Sequence, residues 1–363
     1  LRDAALDDRG AEFLGPLCQF ALDFVVEQSA LFPGDADMVN LAVLAVRGIG
    51  SSAYSPSSSA LWQAFLSFPD NVIRYEVLAA LPRLGSSAAV EEINRFLAEQ
   101  NSLYGFAPPD TGILNGVIKT LSETGDERSY AALFSAYLVY PGESGDNAAL
   151  ALFSINGRIG GLDLFLTQLV LQNPVREKLE AMRLGRHPLA KIDYRALAEA
   201  ALESALNQNN SGEWERQLRG EALRVIREEK ITRALPLVVK NYTQCLSVYR
   251  ARPNEGRGDY LEAVDTLAAM ESVEGARLLA LQLALVNSSR EQPRSGIDGI
   301  GDTGDTGDIY NIGDDEEVVL ALVNGLARLA YKEAYDHLNR MLALSYSDTI
   351  KAASREALSR LQW

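Results

Sequence analysis

Residues 70–85 read DNVIRYEVLAALPRLG: an acidic residue, an amphipathic run and a closing Leu84-Gly85. Asp70 is a good helix N-cap, because its carboxylate accepts hydrogen bonds from the free backbone N–H groups of the first turn. Gly85 suits the left-handed conformation that closes a helix. Between them Ile73, Val77, Ala80, Leu81 and Leu84 fall at i, i+4, i+7, i+8 and i+11, one apolar stripe. The stretch predicts a helix capped at both ends.

The same pattern recurs on either side. Asp35 leads to Gly50 and Asp110 to Gly125 over the same fifteen residues, and Asp146 leads to Gly160 with one residue fewer. Each copy follows another apolar-periodic segment, at 12–30, 60–68, 88–100 and 128–140. Helices therefore come in pairs at a period of roughly 35–40 residues, the signature of a repeat array. The second half keeps the plan with looser spelling: 162–171 with 174–184, 194–207 with 213–228, 232–250 with 259–272, 275–286 with 314–329, and 332–346 with 348–361. A seam is expected near 185–190, and an acidic Gly/Asp-rich insertion at 288–313. Few windows alternate apolar and polar residues, while Ala and Leu dominate, so the chain is expected to be all-α.

The second helix of each pair resembles that of the HEAT-repeat family, particularly its short bacterial form. The nearest copies are Ile73-Arg74 with Ala79, Ala80 and Leu81, Val175-Arg176 with Ala181, and Ile350-Lys351 with Ala357 and Leu358. The Trp-Leu-Gly-Tyr signature of tetratricopeptide repeats is absent. The resemblance implies a single right-handed α-solenoid of about eight or nine HEAT-like helix pairs, of armadillo-type fold, with a concave surface lined by second helices. No single pair can bury its stripe, so stability comes from stacking neighbours. Such a surface implies a protein-binding scaffold or adaptor within a larger assembly.

Composition narrows the function. The chain has 363 residues, 47% hydrophobic and 23% charged, as a folded protein does. Its net charge of −15 argues against nucleic acid as partner and fits a protein partner with a basic, elongated face. A DNA glycosylase of HEAT-like fold is disfavoured on the same ground, because its groove must be basic. Cys18 and Cys245 are too few for a disulfide framework, and His187 and His337 lack a ligand spacing with either. The longest apolar stretch, 13–26, is broken by Gln19 and Asp23 and is too short to span a bilayer. The first residue is Leu1, not Met, so the compartment stays open, with an exported form favoured over a cytoplasmic one.

Candidate contact residues lie off the apolar stripe of the second helices: Tyr75, Arg83, Asn115, Lys119 and Arg158. In the insertion, Asp302, Asp305 and Asp308 repeat every three residues on a glycine-rich backbone, a weak calcium pattern without EF-hand spacing. A calcium-responsive structural protein follows only if they bind the ion. No phosphate loop, nucleophile elbow or His-Glu-x-x-His occurs, so neither catalysis nor a cofactor is expected. A HEAT-like lyase or isomerase, or a small-ligand binder, is the alternative, and an apolar pocket with convergent Tyr, Asp or Arg side chains would mark it.

Overall fold

Each amphipathic run becomes a helix because its stripe finds a neighbouring stripe to pack on. In the computed structural model the described residues are 8–29, 31, 34–85, 88–207, 212–291 and 315–361. Among them are eighteen α-helices, a few 3-10 turns and no strand. Contacts divide the chain into two compact units, Leu1–Tyr194 and Arg195–Trp363.

The first unit holds α1 (Asp8–Gln28), α2 (Ala36–Ser52), α3 (Ser58–Ser67), α4 (Asn71–Leu84), α5 (Ala88–Leu103), α6 (Thr111–Thr124), α7 (Ser129–Val139), α8 (Glu143–Ile159), α9 (Leu162–Gln172) and α10 (Val175–Gly185). Each odd-numbered helix pairs with the next even one. The second helices α2, α4, α6 and α8 lie side by side in one layer, and the first helices α1, α3, α5 and α7 in another. Between the layers sits the core: the α4 stripe is buried throughout, and Trp62 stacks on Phe65 at 4.6 Å between ring centres. Aromatic pairs of this kind add to area burial in fixing a core.

Three caps form as the sequence predicts. Asp35 accepts from the Asp37 and Met38 amides at 2.9 and 3.1 Å, Asp70 from Val72 at 2.7 Å, and Asp110 from Ile113 at 2.9 Å. Gly85 closes α4 at φ 60°. Asp146 does not cap: α8 begins at Glu143, because Gly142 at φ 67° lets the chain turn tightly after α7. The Asp146 carboxylate sits in the first turn, where it still complements the helix dipole. Nor does α2 stop at Gly50. It runs to Ser52, and Gly50 is instead a contact point where an added Cβ would lie 3.0 Å from Ala80 Cβ.

The second unit holds α11 (Tyr194–Asn207), whose first residue falls on the boundary, α12 (Glu213–Glu228), α13 (Leu235–Ala251), α14 (Pro253–Ala269), α15 (Val273–Glu291), α16 (Glu316–Leu329), α17 (Tyr335–Ala343) and α18 (Asp348–Leu361). Here α12, α14, α16 and α18 form the lateral series. The helix expected at 259–272 starts at Pro253, whose fixed φ suits a first helical position. Gly256 lets that first turn lie against α13, since a Cβ would stand 2.8 Å from the backbone nitrogen and Cα of Tyr249. Residues 288–291, expected in the insertion, complete the last turn of α15. Residues 292–314 lie outside the described residues, and α16 begins at Glu316, capped by Asp315.

Candidate functional site

The second-helix layer of the first unit is built in register, with bonds joining residues one repeat apart. Asn71 donates to Asp110 at 3.4 Å, Thr120 to the Leu78 carbonyl at 3.1 Å, and Asn147 to Asn115 at 3.4 Å. Arg47 pairs with Glu76. These bonds hold the helices parallel and leave one side of each in solvent. Along that side Leu41, Leu44, Val72, Tyr75 and Leu150 are exposed. Exposed large apolar residues recurring on one layer mark a contact surface more than scattered ones do.

The five residues singled out from sequence all reach this layer, in different roles. The Tyr75 hydroxyl reaches across to Gly112 at the start of α6, where a Cβ would collide with it. Asn115 is half-buried and accepts from Asn147. Arg83 and Lys119 are exposed. Arg158 is also exposed, yet its guanidinium donates to the Ser122 and Gly125 carbonyls at 3.2 and 2.9 Å. It thereby satisfies carbonyls at the end of α6, where a cation is favoured. Arg74 plays the same part within its own pair, donating to the Phe65 and Phe68 carbonyls that end α3.

A cleft of about 780 Å³ that sequence reading did not find opens beside α7, α9 and the start of α10. Phe134, Leu138 and Phe165 supply apolar wall, and Tyr137, Asp146 and Arg176 supply polar groups. Tyr137 donates to Glu180 at 3.1 Å. Burial, reinforced by the Glu180 charge, pushes the Tyr137 phenol up to about 12, so it stays a neutral donor near pH 7. The lining comes from separate helices and a turn, so no local spacing announces it.

In the second unit the lateral series is crossed by charge instead. Arg219 pairs with Asp259, and Asp265 meets Arg227 at 2.7 Å and Arg328 at 3.6 Å. Lys230 reaches Glu271 at 2.8 Å. At the entry to α16, Asp315 accepts from the Tyr249 hydroxyl at 2.7 Å and from Arg257 at 2.9 Å. Burial alone would raise that carboxyl, but bonds from Tyr249, the Val318 amide and Arg257 outweigh it and hold it below its ordinary range. Cys245 is buried and its thiol is pushed up to about 11, mainly by desolvation, which keeps it protonated and inert.

Among the described residues no group of His, Cys, Asp and Glu could hold a metal ion, and no helix is long and apolar enough to cross a membrane. Asp302, Asp305 and Asp308 lie outside the described residues.

No family model matches the sequence, and no curated protein matches it. Among solved structures, a crystal complex of SYS-1 with POP-1 superposes with a TM-score of 0.30 at 10% identity, covering 95% of this chain. The match spans only 63% of that chain's length. A superposition at that level decides neither fold nor function, and the assignment rests on the helix pairs themselves.

Proposed function

We propose that this chain is a non-catalytic protein–protein interaction scaffold of HEAT-like type, its helix pairs stacked right-handedly within each unit. The observation that carries this reading is the exposed apolar series on neighbouring second helices of the first unit, Leu41, Leu44, Val72, Tyr75 and Leu150. Solvated helices keep such residues off one shared face unless something covers them. Capping acids Asp35, Asp70 and Asp110, with Asp146, line the N-terminal edge of the same layer. That edge suits a partner with a basic, elongated face.

The test is affinity capture from the native organism with cross-linking mass spectrometry, comparing the natural chain with a Leu44→Asp, Tyr75→Ala, Leu150→Asp variant. A specific protein cross-linked to second-helix residues and lost with the variant supports the scaffold. The same proteins retained by the variant would move binding away from this face and refute the reading.

The cleft favours a second reading, a small-ligand site with Tyr137 and Arg176 as polar anchors. A fragment screen read by thermal shift tests it. Hits abolished by Arg176→Glu support a ligand site, and hits indifferent to it remove it.

A further inference from the structure

Four charged side chains line the cleft beside α7, α9 and α10, and they are not equally engaged. Glu180 accepts from the Tyr137 hydroxyl at 3.1 Å and from Arg183 at 2.6 Å, and Glu177 accepts from Asn173. Asp146 and Arg176 have no side-chain partner among the described residues, and they do not pair with each other. They come from the first turns of neighbouring second helices, α8 and α10. The cleft therefore carries one open anion and one open cation. Its acidic end is fixed, because Tyr137 holds Glu180 and the Asp146 charge bears on the same phenol. Arg176 stands one turn before Glu180 on the same face of α10, about 5–6 Å away between Cβ atoms. No side chain caps the first turn of α10, so that end also favours negative charge. The wall is apolar: Phe134 is buried, and Leu138, Phe165 and Leu169 are half-buried.

We propose that this cleft binds a zwitterion with an apolar body, an ammonium and a carboxylate on one small molecule, as in an apolar amino acid or a short peptide of such residues. This rests on the small-ligand reading of the cleft and names the class of ligand. A simple anion drawn to Arg176 would face Asp146 and Glu180, and a simple cation drawn to them would face Arg176. A neutral apolar ligand would cover both open charges and match neither, and an unmatched charge is costly to desolvate. A zwitterion meets both. Its ammonium goes to Asp146 and the Glu180 carboxylate, and its carboxylate to Arg176, whose planar fork fits that group. The apolar body then covers Phe165 and Leu169. A volume of about 780 Å³ falls within the ~300–1,000 Å³ of ligand sites and admits either source, the single amino acid or the short peptide.

Calorimetric titration of the full chain tests this with phenylalanine and with the dipeptide leucyl-phenylalanine. Beside them run N-acetyl-phenylalanine, which lacks the ammonium, and phenylalanine amide, which lacks the carboxylate. At least one of the two zwitterions should bind, and the tighter of them identifies the source. Removing either charge from phenylalanine should weaken binding by roughly tenfold or more, the scale of a lost charge-assisted hydrogen bond. Asp146→Asn and Arg176→Gln should each cost a similar factor with helix content unchanged, since both side chains are exposed. Binding of either analogue as tight as that of phenylalanine, or binding indifferent to both variants, overturns the proposal. So does the failure of both zwitterions. In that case fragment hits that are lost with Arg176→Glu would leave the small-ligand site standing with another class of ligand, and their absence would remove both.

Discussion

The two units join their second helices by different physics. In the first, neighbours meet mainly through small residues and single hydrogen bonds, with one ion pair, Arg47–Glu76, between α2 and α4: Gly50 against Ala80, Gly116 under Leu78, Thr120 to the Leu78 carbonyl. In the second, the same kind of layer is laced by Arg219–Asp259, Arg227–Asp265–Arg328 and Lys230–Glu271. Close packing leaves the outer face free to carry leucines and a tyrosine. Ion pairs spend that face on charge and keep it solvated. Because exposed pairs contribute only about 0–1 kcal/mol each, the second unit must draw its stability from beneath them. There Tyr249 stacks on Tyr260 at 5.2 Å, and Tyr242 meets Tyr260 hydroxyl to hydroxyl at 3.2 Å. The contrast is the reason the proposed partner-binding face is sought in the first unit.

The sharpest break is in the first unit's core. Trp62→Ala removes a ring that is 1% exposed and packs on Phe65 and Phe96. It should cost about 3–5 kcal/mol in urea unfolding. Hydrogen exchange should show protection falling first in α3 to α6, and uniform loss over every helix would show that stability is not set by nearest neighbours. The counterpart in the second unit is Asp315→Ala. It deletes the α16 cap and takes the carboxylate away from the buried Tyr249 hydroxyl, so about 2–4 kcal/mol should be lost. A loss under about 1 kcal/mol would mean that α16 is held by its apolar stripe alone.

Much of this was legible in the sequence where one residue type serves one local purpose. Asp35, Asp70 and Asp110 were readable as caps because each stands at the head of an apolar stripe and its carboxylate needs only its own first turn. Asp146 misled because a glycine four residues earlier let the helix begin sooner. Arg252-Pro253 carried an unused signal for the start of α14. The exposure of Tyr75, Arg83 and Lys119 follows from their places off the stripe. What Arg158 does could not be read that way, because its acceptors lie at the end of α6, more than thirty residues back. The cleft was invisible for the same reason: Tyr137, Phe165 and Arg176 become neighbours only when three helices are in place.

A smaller effect separates the units by pH. The folded Asp315 carboxyl titrates below its unfolded value of about 3.9. Its contribution is therefore fully present above about pH 4 and is lost as the pH falls through the folded value. Asp315→Asn should flatten this acid limb in urea midpoints measured from about pH 6 to about pH 2. An unchanged acid limb would assign the loss elsewhere. Asp126 is the corresponding group in the first unit, held low chiefly by its bond with Arg128, and its exposure makes the expected effect slighter.

The smallest pair of effects tests the comparison most directly. Arg158→Ala in the first unit removes a donor to two main-chain carbonyls, and should cost about 0.5–1.5 kcal/mol. Asp265→Ala in the second removes a carboxylate shared by Arg227 and Arg328 on an exposed face, and should cost under about 1 kcal/mol. Salt distinguishes them. The bond to carbonyls is short-ranged and should persist at about 1 M salt, where the Debye length is about 3 Å, while the Asp265 effect should fade. If Asp265→Ala instead costs more than Arg158→Ala and ignores salt, the charged layer is structural. The second unit would then be held from its surface as well as its core, and the reason for placing the binding face in the first unit would lapse.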